Sequence, residues 1–473
     1  MTGNPMTPTL RRSAAAALAA LLGACSQIPP YQPPTTATPA RWGETAPGWM
    51  AAAPADTLAR GPWWTLFGDP VLDDLAAQVA VNNQNVAAAA AAVAQSQALV
   101  REQRAALFPT LGIDAGAQRA GAGGGGPAAN QFTLGLGASW EPDLWGRVGA
   151  GVSAAGAQAQ ASQAELANAT LSAQSAFVAD YLSLREADAE IALIRDTVAG
   201  YQRALTITQN RYAAAIAQKS DVLQAQTQLA GAQADLAAEV QTRAQLAHAM
   251  AVLLGRAPAD FTLPAGDWKS TVVPGIPPDV PSGLLQRRPD IAAAERAVAA
   301  ANANVGVARS AWFPSFTLSA SGGQGAARLG DLFQASATTW SFGLAIAETI
   351  FDAGARSAAT DAARASWEQS VAQYRQTVLS AFQAVEDLLS ASGSLEQQQA
   401  LRKQASEAAD QTEQQMLNRY RQGLVAYTDV VSAQATAYSA RRTLLQVSLQ
   451  RQTTAVSLIA ALGGGWNAAR MDS

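Results

Sequence analysis

The sequence predicts a mixed α and β membrane protein, with four β-strands and several long α-helices per chain arranged as an internal two-fold repeat. Three observations predict it. The first is repetition: Asn210-Arg211-Tyr212 recurs as Asn418-Arg419-Tyr420, Asp221-Val222 as Asp429-Val430, and Ala225-Gln226 as Ala433-Gln434, all at one spacing of 208 residues. Phe108-Pro109 matches Phe313-Pro314 at 205 residues and Trp145-Gly146-Arg147 lies opposite Ala353-Gly354-Ala355 at 208, which confines the length change to the glycine-rich stretch between them. A register held through several motifs marks two copies of one structural unit. The second observation is alternation of period two, and the third is the distribution of proline.

The chain opens with Arg11-Arg12, an apolar run from Ser13 to Leu22, and Leu22-Gly23-Ala24-Cys25. The run is too short to cross a bilayer and reads as a secretory signal of the general type. Cys25 is the single cysteine, so no intrachain disulfide can form. Its position at the cleavage point resembles the bacterial lipobox, which implies an S-diacylglycerol and an N-acyl group on Cys25. With Ser26 in place of an aspartate, it also implies sorting to the outer membrane. Ile28-Pro29-Pro30-Tyr31-Gln32-Pro33-Pro34 then forms an extended tether that cannot be helical.

The strands follow. Leu111, Ile113, Ala115 and Ala117 alternate with Gly112, Asp114, Gly116 and Gln118, and after the loop Gly121 to Gly126, Phe132, Leu134, Leu136, Ala138 and Trp140 alternate with small or polar residues. Phe316, Leu318 and Ala320, then Trp340, Phe342, Leu344 and Ile346, repeat the pattern. Period two means paired strands with one apolar face. Alternating segments of about ten residues with terminal aromatics suit a strand that crosses a bilayer.

The helices complete each copy. No proline occurs between Pro142 and Pro258 or after Pro314, and proline would break a helix. An apolar seam runs through Leu184, Ala187, Ile191, Ile194, Val198, Tyr201, Leu205 and Thr208, and its counterpart through Trp367, Val371, Tyr374, Val378, Ala381, Val385 and Leu388. Such seams require partner helices. A helix from roughly 148 to 213 would extend on the order of 100 Å at about 1.5 Å per residue. Mean hydropathy is +0.02, so this is no bundle of membrane helices.

No catalytic constellation is present. His248, the sole histidine, lies in a helical stretch where packing or surface exposure is the expected role, and no Cys/His cluster offers a metal site. The glycine run lacks the Lys-Ser/Thr ending of a phosphate loop. The net charge of −4 gives no argument for nucleic acid. The chain is expected to be no enzyme and to need no cofactor beyond the lipid on Cys25.

Four motifs carry a family resemblance: Trp63-Trp64-Thr65-Leu66-Phe67-Gly68-Asp69-Pro70, Glu141-Pro142-Asp143-Leu144-Trp145-Gly146-Arg147, Arg287-Arg288-Pro289-Asp290, and Ala461-Leu462-Gly463-Gly464-Gly465-Trp466. Together and in this order they resemble the outer-membrane efflux proteins of the TolC type, in particular the NodT-like lipoprotein branch that serves resistance-nodulation-division pumps. Four strands cannot close a membrane barrel, so the chain must assemble; a dimer gives eight strands and a filled interior, a trimer twelve and room for a pore. The resemblance implies the homotrimer, a 12-stranded β-barrel in the outer membrane continued by a periplasmic α-helical barrel.

On that reading, a signal peptide covers 1–24, and the lipidated tether and start of an equatorial region cover 25–70. A first repeat spans 71–262 with its hairpin at about 110–143, and a connector spans 263–288. A second repeat spans 289–462 with its hairpin at about 315–350, and a tail spans 463–473. The implied partners are outer-membrane lipid, a periplasmic adaptor of the membrane-fusion type and an inner-membrane resistance-nodulation-division transporter. The function implied is that of a passive, gated duct for drugs or other small toxic compounds. A duct for type I protein secretion and a structural envelope lipoprotein are the alternatives.

The turns near Ala213 to Ser220 and Arg421 to Tyr427 are expected to form the periplasmic tips. Asp221 and Asp429 follow them and could be helix N-caps, as could Ser220 and Thr428. For Asp429 the resemblance implies a ring of three carboxylates at a constriction. Relatives commonly carry a second acid where Ser432 stands, and Ala435 replaces a polar position, so the lock is assigned to Arg419, Tyr420 and Arg421 with Arg211 and Tyr212. Lys219, Ser220, Gly423, Leu424 and Val425 are the expected adaptor-docking surface.

Overall fold

The computed structural model describes residues 28–39, 41–44, 62–121, 128–275, 283 and 287–464. The segment read as a signal, Cys25, most of the glycine-rich loop, much of the connector and Trp466 lie outside them. In chain order the elements are α1 (Pro70–Asn82), α2 (Gln84–Ala105), β1 (Thr110–Ala120), β2 (Ala129–Trp140), α3 (Arg147–Ala213), α4 (Lys219–Leu253), α5 (Pro289–Ser310), β3 (Ser315–Ala326), β4 (Thr338–Ala347), α6 (Ala355–Arg421) and α7 (Tyr427–Ala461). Both long helices, α3 and α6, have 67 residues, and both returning helices, α4 and α7, have 35. Equal pairs of long and returning helices are what the repeat demands, although two helices, α1 and α2, precede the first hairpin and one, α5, the second.

The chain divides into two compact units. The first comprises Ala92–Gln163, Ala293–Gln376 and the N-terminal segment to Thr35. Its strands form one antiparallel sheet in the order β1-β2-β3-β4. The register puts Leu111, Ala138, Ala320 and Phe342 in one row across the sheet, with Ile113, Leu136, Gly322 and Trp340 in the next row on that face. On the other face run Gly112, Gly137, Ser321 and Ser341, then Asp114, Gly135, Gly323 and Thr339. The alternation in the sequence thus becomes two chemically opposite faces, because successive side chains of a strand point to opposite sides.

Each long helix starts on an aspartate. Asp143 accepts from the N–H groups of Val148 and Gly149 at 3.0 and 2.7 Å, and Asp352 from those of Gly354 and Arg356 at 3.0 and 3.1 Å. These carboxylates satisfy amides that have no partner within the helix. Arg147 then pairs with Glu141 and Arg356 with Asp352. Trp145 donates its indole N–H to the Pro314 carbonyl at 2.6 Å and stacks on Phe313 at 4.9 Å, so the Glu141–Arg147 motif of the first copy meets the Phe-Pro motif of the second. The extended N-terminal segment lies along α5, where Asn302 donates to the Pro29 carbonyl and the Tyr31 hydroxyl bonds Glu295.

The second unit comprises Thr36–Ala91, Ala164–Ala292 and the chain from Thr377 onward. Trp63–Phe67 forms a 3-10 turn, Gly68 ends it with φ +65°, and Asp69 caps α1 with Pro70 at the first helical position. Trp63, Trp64 and Phe67 enter a core with Leu72, Phe177, Tyr181 and Met250. The seam of α3 is buried throughout, apart from half-buried Val198. The α6 seam is buried from Tyr374 to Val385, but at its end Leu389 rather than Leu388 points inward. The Arg287–Asp290 and Ala461–Gly464 motifs meet: Arg288 forks onto the Asp290 carboxylate and donates to the Ala461 carbonyl at 3.0 Å. In this unit Trp42 packs edge-on against Phe382 while Glu386 accepts from the amides of Gly43 and Glu44. No described helix is long and apolar enough to cross a membrane.

Candidate functional site

Two places gather the residues that a duct would use. The first is the pair of helix reversals in the second unit. In each, the helix ends with the amide five residues on bonding back to an arginine carbonyl: Ile216 N–H to Arg211 at 2.8 Å, and Leu424 N–H to Arg419 at 2.9 Å. Ala215 and Gly423 hold the intervening left-handed position, at φ +59° and +78°. This is a Schellman closure in both copies, with glycine where the Cβ penalty would fall in one and alanine in the other.

The helices that follow begin at Lys219 and Tyr427, so Gln218 and Ala426 occupy the cap positions. Asp221 and Asp429 are therefore third-position residues, and Ser220 and Thr428 second-position ones; none of the four is the N-cap. The Asp429 carboxylate accepts from the Ala426 N–H at 3.2 Å, which supports the first turn while its side chain stays exposed. Ser432, one turn on, is also exposed.

Tyr420, expected among the lock side chains, lies inside the protomer. It is 3% exposed and packs with Tyr427 at 5.2 Å in a cluster with Tyr201, Leu205, Leu229 and Val430. The Arg211 guanidinium sits over its ring at 4.7 Å and donates to the carbonyls of Tyr420 and Arg421 at 3.0 and 3.4 Å. The first copy's arginine thus caps the C-terminal end of the second copy's long helix, where a cation meets the negative end of the dipole. Burial pushes the Tyr427 hydroxyl up to about 12. The repeat partner of Tyr420 behaves oppositely, since Tyr212 is 48% exposed.

Arg419 is exposed, and exposed Arg421 reaches back to the Asn418 amide oxygen at 3.4 Å. Lys219, Ser220, Gly423 and Leu424 are exposed at the reversals and Val425 is half-buried. Sequence reasoning missed Ile216, the repeat counterpart of Leu424. The two are 66% and 63% exposed, an apolar pair on the two reversals, and the 208-residue spacing was the signal for it.

The second place is the polar face of the sheet in the first unit. Small, hydroxyl and glutamine side chains line it together with Asp114, and it is concave. The opposite face exposes Leu111, Ile113, Leu136, Trp340, Phe342, Leu344 and Ile346. So large an exposed apolar surface marks contact with lipid or another chain. Among the described residues, no three His, Cys, Asp or Glu side chains gather to hold a metal ion.

A sheet with one lipophilic face and, among the described residues, two unpaired edges, in one chain with heptad-seamed helices, defines the protomer of an outer-membrane duct. The model of the family described as outer membrane efflux protein matches residues 75–256 and 280–464, one stretch for each repeat, and the chain belongs to that family. It is an outer-membrane efflux channel protein, and the family is one of channels rather than enzymes. Among its relatives, the probable efflux pump outer membrane protein TtgC of Pseudomonas putida is 33% identical and the match covers 95% of each chain. The cation efflux system protein CusC of Escherichia coli is 31% identical over 95% of this chain and 97% of its own. Among solved structures, CusC superposes with a TM-score of 0.83 at 28% identity, over 93% of this chain and all of that one. The open-state outer membrane channel MtrE of Neisseria gonorrhoeae gives 0.82 at 29%, over 93% and 98%.

Proposed function

We propose that three copies of this chain close a 12-stranded barrel and a helical tunnel, forming the passive exit duct of a tripartite pump. The observation that carries this is the sheet: four strands in sequence order, with no partner strand among the described residues on the outer edge of β1 or β4. In lipid every backbone polar group needs a partner, so those edges must pair with further copies. Twelve strands leave an aqueous lumen where eight would be filled by side chains. The cargo is drugs or other small toxic compounds delivered by an inner-membrane resistance-nodulation-division transporter through a periplasmic adaptor, and the chain does no chemistry on it. Efflux by relatives such as TtgC and CusC supports this reading.

Cys25 carries the acyl anchor, so Cys25→Ser abolishes acyl labelling yet leaves trimers in the outer membrane. Exposed Ile216 and Leu424, with Lys219, Ser220, Gly423 and Val425, form the adaptor-docking tip. At the constriction the three Asp429 carboxylates draw cations, with Ser432 beside them in place of a second acid, while exposed Arg419, Arg421 and Tyr212 hold the closed state against a neighbouring copy. Tyr420 belongs to the tip's interior and stiffens it through Arg211.

Purified protein in planar bilayers tests the duct directly. It should migrate as a trimer and conduct, with Arg421→Ser raising the resting conductance and Asp429→Ala weakening cation preference and block by divalent ions. A preparation that stays monomeric in detergent and lipid, or trimers that never conduct, would sink the proposal.

A further inference from the structure

The polar face of the sheet carries a single charge. By register, Thr110, Gly112, Asp114, Gly116 and Gln118 of β1 share this face with alternate residues of β2, β3 and β4, and apart from Asp114 all of them are Gly, Ala, Ser, Thr or Gln. Asp114 sits midway along β1 and is exposed. Its cross-strand row is Gly135, Gly323 and Thr339, so the two strands beside Asp114 in the sheet place glycines on that row where side chains would otherwise stand. A Cβ on Gly135 would come within 2.8 Å of an Asp114 carboxylate oxygen. The space is therefore kept open for that group. Asp114 also lines a concavity of about 630 Å³ on this face, with Gln118, Gln131, Thr133 and Ser321. No basic side chain shares the face: Arg119 falls on the opposite parity, opposite Asn130.

We infer that Asp114 is a specificity-determining residue of the duct, acting on charged cargo inside the barrel itself. This rests on the trimeric reading above, in which three Asp114 carboxylates ring the lumen at mid-height of the membrane. A ring of carboxylates in an otherwise uncharged pore concentrates cations and repels anions. Its reach is set by screening, about 10 Å at 0.1 M salt and about 3 Å at 1 M. The ring therefore acts across the water-filled lumen at low salt and fades at high salt. The cargo it favours is cationic or neutral; anionic compounds meet a barrier in the barrel as well as at the tip.

The test is reversal potential across planar bilayers in a KCl gradient at low ionic strength, for wild type, Asp114→Asn, Asp429→Ala and the double variant. Asparagine is isosteric, so trimers should form normally. Asp114→Asn should lower the K⁺/Cl⁻ permeability ratio several-fold at low salt and leave it unchanged near 1 M. The double variant should lose more selectivity than either single one. Adding Gly112→Asp to Asp114→Asn should restore selectivity, because Gly112 shares the face and has nothing within 4 Å of its would-be Cβ. Conducting Asp114→Asn trimers with wild-type reversal potential, or selectivity that Gly112→Asp fails to restore, overturns the role of Asp114 and leaves the duct standing. Trimers of every variant that fail to conduct overturn the duct and this inference with it.

Discussion

Glu186 and Glu190 lie one turn apart on α3, and they are 7% and 3% exposed. Arg442 of α7 donates to Glu190 at 2.6 Å, while Glu239 and Asp235 of α4 stand close and Tyr438 donates to Asp235 at 3.0 Å. One arginine cannot neutralise this many acids. Burial, then repulsion from Glu190 and Glu239, pushes the Glu186 carboxyl up to about 8, so it holds its proton at neutral pH and donates to Glu190. Because the folded value lies above the unfolded one, the contribution to stability is complete below about pH 4.5 and is lost as pH rises through about 8. Thermal unfolding between about pH 5 and pH 9 should show this loss in wild type, and Glu186→Gln should flatten it and raise stability at the alkaline end. A Glu186→Gln protein with the wild-type pH slope would rule the pair out. Arg442→Ala should cost about 3–5 kcal/mol by stranding the buried Glu190 charge. Nothing in the sequence announces this group. Two acids four apart beside an apolar seam look like a solvated face until α7 is packed over them.

Among the elements, the two reversals offer an internal comparison. They share hydrogen bonds and a left-handed residue, yet one uses Gly423 and the other Ala215. An L-residue in that conformation costs about 1–2 kcal/mol. Ala215→Gly should therefore slow local opening of the first reversal, and Gly423→Ala should speed it at the second, as read by amide hydrogen exchange in each turn. Equal exchange in both variants would mean the turns are held by packing alone. The sequence made both reversals legible through the repeated Asn-Arg-Tyr motif, but it could not reveal their asymmetry. Tyr212 and Tyr420 are indistinguishable as letters; Arg211 covers one and leaves the other in solvent, and that depends on which helix lies beside which. Arg211→Ala should accordingly loosen the tip more than Tyr420→Phe, which keeps the ring and removes a hydroxyl that has no partner.

At the scale of the whole molecule, the strands were the most legible part, because period two survives into the register without a slip and one slip would exchange the faces. The helical seams were legible through their 3-4 spacing, apart from the end of the α6 seam, where Leu389 rather than Leu388 is buried. What the alternation does not state is which face meets lipid. The composition of the rows argues it: leucine, isoleucine, phenylalanine and tryptophan on one side, glycine and hydroxyls on the other. Arginine at Leu134 or Leu344 should then cost roughly 2–4 kcal/mol near the bilayer midplane and reduce the yield of assembled trimers. The matched control is Gly137→Arg, since Gly137 lies on the polar face with nothing within 4 Å of a would-be Cβ. Gly135→Arg is less suitable, because the side chain would meet Asp114 and introduce an ion pair as well as bulk. The measurement is the fraction of membrane-inserted protein that runs as trimer. If Leu134→Arg and Gly137→Arg assemble equally well, the leucine row does not face lipid and the barrel must be built with the opposite face outward.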